Sequence, residues 1–118
     1  MPDISPLDHP SLYRAIKSRR WISQFSAAFR LRFNETGISV ILSANCTRDV
    51  CDAHQTTCYG ELRLETSAVV TSRWRVNKDA PNHGEILGLP LFGSDELAIE
   101  EAASDLANLV TDVQHRPS

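Results

Sequence analysis

Several stretches of the chain alternate apolar and polar residues with a period of two. In FRLRF, residues 29–33, Phe29, Leu31 and Phe33 point one way and Arg30 and Arg32 the other, the pattern of a half-buried strand. NETG supplies a turn, and ISVILS (38–43) then places Ile38, Val40 and Leu42 on one face, so the two runs are expected to form a hairpin. ELRLE (61–65) and RWRV (73–76) alternate again, and HGEILGL adds a short apolar segment, for four or five strands in all. Between them Thr47 can cap a short middle helix reaching about Gln55, because its hydroxyl can accept a bond from an otherwise unpaired amide.

The period changes near the C-terminus. Ser94 is a good N-cap, Asp95 and Glu96 put negative charge where the helix dipole favours it, and Ile99, Ala102, Ala103, Leu106, Leu109, Val110 and Val113 recur at helical spacing. A helix to about Gln114 is expected. The class is therefore α+β: a single domain over 11–115 with an antiparallel or mixed sheet of four to five strands, a short middle helix, and an amphipathic C-terminal helix on one face. Residues 1–10, with three prolines, are expected to be an irregular lead-in, tied down if at all by LYRAI.

Composition narrows the class further. At 118 residues the chain suits one compact domain. With 42% hydrophobic and 23% charged residues it is neither disordered nor membrane-like by composition, and no apolar run approaches the ~20 residues a bilayer span needs. MPDISPLDHP has no basic region leading into an apolar core, so no export signal and a cytoplasmic location are expected.

Charge is unevenly spread. Residues 1–78 carry eleven Lys and Arg against seven Asp and Glu, whereas residues 79–118 carry one against eight. Ten of the basic residues are Arg, and Lys17 and Lys78 are the only lysines. Forked guanidinium groups suit phosphate or carboxylate, so the bias points to an anion-binding face; arginines alternating along strands also commonly form a solvated outer face. RRW, FRLRF and RWR interleave basic and aromatic residues as single-strand binders do, but a pI near 5.7 and the lack of a long basic run speak against nucleic acid.

Two constellations could carry chemistry. In CTRDVCDAHQTTC, Cys46, Cys51, His54 and Cys58 are donors of the types that tetrahedral zinc takes, yet four ligands strung along one helix and its ends cannot readily surround an ion. Packing of the cysteines as small apolar residues is the favoured reading. An odd number of cysteines without an export signal implies reduced thiols rather than a disulfide framework. Cys46, just before the helix start, could be an activated thiol working with His54 or His83, although no nucleophile motif supports this. The second constellation is DAPNHGEILGLP (79–90), where Pro81, Asn82 and Gly84 account for a turn, while the turn does not require His83 with Asp79 nearby to orient it.

LYRA (12–15), RFN (32–34) and GISVILS (37–43) together resemble the opening of the RES domain, a bacterial toxin domain similar to ADP-ribosyltransferases that consumes NAD. The resemblance covers roughly residues 12–54. It implies Arg14 and Arg32 as the two arginines, with Phe33 where the family has tryptophan, and Asp52 where it has a glutamate. Arginines could then hold a pyrophosphate, Tyr13 or Trp21 could stack on a flat ring, and the carboxylate could stabilise cationic charge at the ribose. GISV (37–40) and DAPNHGEILGLP also resemble two segments of a small bacterial family, mainly cyanobacterial, to which no reaction is attached. That resemblance covers most of the chain and implies bacterial origin and a single domain.

The expected function is a cytoplasmic bacterial module that binds an anionic small molecule or a protein partner, without a cofactor, through Tyr13, Arg14, Arg30, Arg32 and His83. The alternative that the RES resemblance implies is an NAD-processing effector of toxin–antitoxin type, intact or degenerate, with Arg14, Arg32, Asp52 and His83 as its catalytic residues and NAD as substrate.

Overall fold

LYRA, wedged between the proline-rich lead-in and Lys17, forms the strand on which the sheet is built. A computed structural model describes residues 3–44, 46–54 and 58–115, apart from the side chains of residues 53 and 54. Strand β1 (Ser11–Ala15) lies between β2 (Gly37–Ile41) and β3 (Gly60–Glu65), and is buried along nearly its whole length. Burial on both faces removes the period-two signal that marks a half-exposed strand, so this one is easily passed over. With β4 (Arg75–Ala80), β5 (His83–Leu87) and β6 (Val110–His115), the sheet has six strands rather than the four or five expected, in the order β4-β5-β2-β1-β3-β6, every neighbouring pair antiparallel. The lead-in runs beside the β4 edge, where Asp3 bridges Asn77 and the Ile4 amide donates to the Val76 carbonyl at 2.9 Å.

Alternation divides the sheet into two faces. Leu12, Ile16, Ile38, Val40, Leu62, Leu64, Val76 and Ile86 share one core, closed by Ala102, Ala103 and Leu106 of α4 (Glu96–Ala107) and by Trp21 and Phe29. Trp21 stands on α1 (Arg20–Ser23), and Phe29 ends a 3-10 turn over Phe25–Phe29. On the other face Tyr13, Ala15 and Ile41 lie beneath Val50 and Cys51 of α2 (Thr47–His54), with Cys58 beside them. The expected middle helix is thus present. Its expected end at Gln55 falls outside the described residues.

Four expectations are corrected. FRLRF is not a strand: both edges of β2 are taken, by β1 and β5, so no hairpin partner remains for it. Phe29 and Leu31 are buried, but Phe33 is 73% exposed and Asn34 turns the chain with φ 67. RWRV begins its strand only at Arg75; Thr66–Ser72 forms helix α3, and the Trp74 amide donates to the Val69 carbonyl to close it. The C-terminal helix stops at Ala107 and is capped by Asp95, whose side chain accepts from the Leu97 amide at 3.0 Å. Beyond Asn108 the chain becomes β6; Leu109, Val110 and Val113 still pack on the core, because their spacing suits a strand edge as well as a helix stripe. Finally, Cys51 and Cys58 form a disulfide, while Cys46 is free and exposed. The Cα atoms lie 5.4 Å apart because β3 starts beside α2, within ordinary bonding reach.

The disulfide also removes the zinc set, since Cys51 and Cys58 cannot offer thiolates; the side chain of His54 lies outside the described residues. Among the described residues no group of three or more His, Cys, Asp or Glu could hold a metal ion. No helix among them is long and apolar enough to cross a membrane.

Candidate anion-binding cleft

The sheet is loosely joined at its centre. β1 and β2 share one registered pair, Tyr13↔Ile41, whereas β1 matches β3 through five pairs and β2 matches β5 through five. The Leu42 amide donates to the Asn82 carbonyl, so by alternation the Ser39 carbonyl is directed at β1, where no ladder partner meets it. Arg14 supplies the partner. Its Nη1 donates to the Ser39 carbonyl at 2.9 Å and its Nε to the Ala28 carbonyl at 3.1 Å, while the guanidinium lies 5.0 Å from the Trp21 ring centre. A buried guanidinium thus spans the gap that a strand ladder would otherwise close.

Beside this gap lies a cavity of about 200 Å³ lined by Tyr13, Arg14, Lys17, Ser39, Ile41 and His83, with Ala15 and Val40 in its wall. Burial lowers the pKa of Arg14 to about 10, with Glu35 opposing the fall and Arg32 adding to it. Lys17 is also lowered, first by burial and then by Arg14, with Glu35 opposing and Arg32 adding. The two cationic groups at the cleft are thus opposed first by burial and then by neighbouring positive charge.

His83 reaches the cavity through the geometry of the β4–β5 hairpin. Lys78 pairs with Gly84 and Ala80 with His83, so Asp79 is the extra residue of a β-bulge, and its Oδ1 lies 2.6 Å from His83 Nδ1. Bulges re-aim side chains in this way. With Nδ1 held, Nε2 is the ring nitrogen left to meet a ligand. Asn82 fixes the hairpin to the end of β2 by donating to the Ser43 carbonyl at 3.0 Å. Gly84 is required by close approach: a Cβ there would stand 2.5 Å from the Asn77 carbonyl oxygen.

The nominated residues divide. Tyr13, Arg14 and His83 meet at the cleft. Arg30 instead pairs with Glu96 and Glu100 of α4, and hydrogen bonding to Glu96 raises its pKa. Arg32 lies 5.9 Å from the Trp21 ring, sharing that ring with Arg14, and lines a neighbouring groove with Arg30. Asp52 is exposed on α2, 3.8 Å from Arg48, and does not line the cavity. Sequence reasoning missed Lys17 and Ser39. That Lys17 is one of two lysines was the available signal, but nothing local marks the parting of β1 from β2.

Fold and site together define an antiparallel α+β domain with a cationic cleft in mid-sheet. No family model, curated protein or solved structure matches the chain.

Proposed function

We propose that the protein is a binding module for a small anion, which sits in the cleft against Lys17, Arg14 and His83. The supporting observation is that Arg14, Lys17 and His83 line one cavity, where burial first and neighbouring positive charge second lower the pKa of Arg14 and of Lys17. A bound anion would relieve that repulsion and supply the counter-charge that Glu35 provides only in part. The cavity, about 200 Å³, suits a compact anion bearing phosphate or carboxylate. Tyr13 offers an aromatic wall, and its own ring already faces the Arg63 guanidinium at 5.0 Å.

Titration with inorganic phosphate, followed by amide NMR shifts, tests this reading. Saturable shifts are expected at Ser39 and His83, and Lys17→Gln should weaken binding about tenfold, the worth of one charge-assisted contact. Equal affinity in the variant, or no saturable shift in the parent, would defeat the proposal.

The NAD-processing alternative receives less support from the geometry. Arg14 and Tyr13 line the cavity, but Arg32 and Asp52 do not, and the volume is small for a dinucleotide. NAD depletion on expression, relieved by Arg32→Ala, would restore it.

A further inference from the structure

The wall of the cleft has a second role. Tyr13, Ala15 and Ile41 line the cavity and also pack against Val50, Cys51 and Cys58, so the same three side chains face the ligand site and the underside of α2. The Cys51–Cys58 bond links that helix to the start of β3. We propose that this disulfide is a redox site, open to reduction by a dithiol, whose cleavage releases α2 and weakens anion binding in the cleft. The proposal rests on the anion-binding reading for its ligand, though not for its structural consequence.

The chemistry balances as thiol–disulfide exchange. One thiolate of the dithiol attacks a protein sulfur, forms a mixed disulfide and expels the other cysteine as thiolate. The second thiol of the reagent then displaces the remaining cysteine, so the dithiol leaves as a cyclic disulfide and the protein holds two thiols. Cys51 and Cys58 are both buried, so attack needs α2 to lift first, and reduction is expected to be slow in the folded protein.

Glu61 provides an independent marker of the cover. It lies opposite Ala15, is 2% exposed, and accepts a bond from the Thr47 hydroxyl of α2 at 3.2 Å. Among the described residues its Oε2 has no hydrogen-bond partner, and burial raises its pKa. Water entering beneath a released α2 would solvate this carboxylate and bring its titration back toward the ordinary range.

The test compares full-length protein in three forms: oxidised, reduced with dithiothreitol, and Cys51→Ser/Cys58→Ser, all carrying Cys46→Ser to prevent reshuffling. Phosphate affinity should fall roughly tenfold in the second and third forms, a coupling of ordinary size for two linked sites. Affinity that stays within about twofold, or that rises, overturns the proposal. If the double variant does not fold, the chemically reduced protein decides. If the oxidised form binds no phosphate, the anion-binding reading has failed by itself, and hydrogen exchange then judges the redox site: faster exchange at Tyr13, Ala15 and Ile41 on reduction supports it, and unchanged exchange overturns it.

Discussion

The two faces of the sheet solve different problems. Under α4 the contacts are mostly hydrocarbon, with Leu12, Ile38, Leu62, Leu64, Ile86 and Leu106 fully enclosed, although the buried Trp74 Nε1 there has no partner among the described residues and the Arg14 guanidinium lies over Trp21. Under α2 a smaller apolar cluster shares its face with Glu61 and Arg63, both of which have a buried atom without a partner among the described residues, and with a disulfide. Burying unpaired polar atoms costs stability, and the second face buries atoms of a carboxylate and a guanidinium in this way where the first buries an indole nitrogen. The cleft opens on that face, at the place where β1 and β2 part.

The largest test of this division removes hydrocarbon from the first face. Leu106 is fully buried between α4 and the sheet, and Leu106→Ala should cost about 2–5 kcal/mol in denaturant unfolding through lost transfer energy and the cavity left behind. Phosphate affinity of the folded variant should match the parent. A folded Leu106→Ala protein that no longer bound phosphate would show that the faces are not separable.

What could be read from the sequence follows the same division. β2, β3 and β5 were legible because turn residues or polar neighbours bracket their apolar runs. The helical stripe Ile99–Leu106 was legible because it covers the first face. FRLRF misled because local alternation says nothing about whether a sheet edge is free, and β6 was hidden because Leu109, Val110 and Val113 extend a helical period without a break. At the site, His83 stood out because turn chemistry does not call for an imidazole, and Asp79 was correctly placed beside it. Its means of approach, a bulge, depends on register between β4 and β5 and leaves no mark in DAPNHG. Arg14, Lys17 and Ser39 converge only because two strands separate, a fact of pairing rather than of local pattern. The disulfide was missed because an odd cysteine count without an export signal points to reduced thiols, a compositional argument that does not see Cys51 and Cys58, seven residues apart, brought together.

An intermediate effect is expected at Glu61. Burial raises its folded pKa above the unfolded value, so the folded state binds more protons between the two values and stability falls as pH rises through that interval. Glu61→Gln removes the buried charge and can still accept from Thr47 through its amide oxygen. It should therefore be more stable than the parent by about 1 kcal/mol at neutral pH, with the gain vanishing below the ordinary glutamate range near 4.3. Denaturation curves across pH 4–8 would show it, with pH itself as the experimental variable. A gain independent of pH would mean that the carboxylate is not the source of the difference.

The smallest effect is expected at Arg30, and it bears most directly on where the anion sits. The guanidinium bridges Glu96 and Glu100 from a surface position, its side chain 32% exposed, and such pairs contribute about 0–1 kcal/mol because water and salt screen them. Arg30→Ala should change stability within that range and less so in high salt. Its phosphate affinity should equal the parent's, since Arg30 lines the groove beside Trp21 and not the cleft between β1 and β2. Paired with Lys17→Gln, it separates two cationic surfaces that the composition alone could not. If Arg30→Ala rather than Lys17→Gln weakened binding tenfold, the ligand would belong to the groove against α4, and the second face would keep its buried polar groups for another reason.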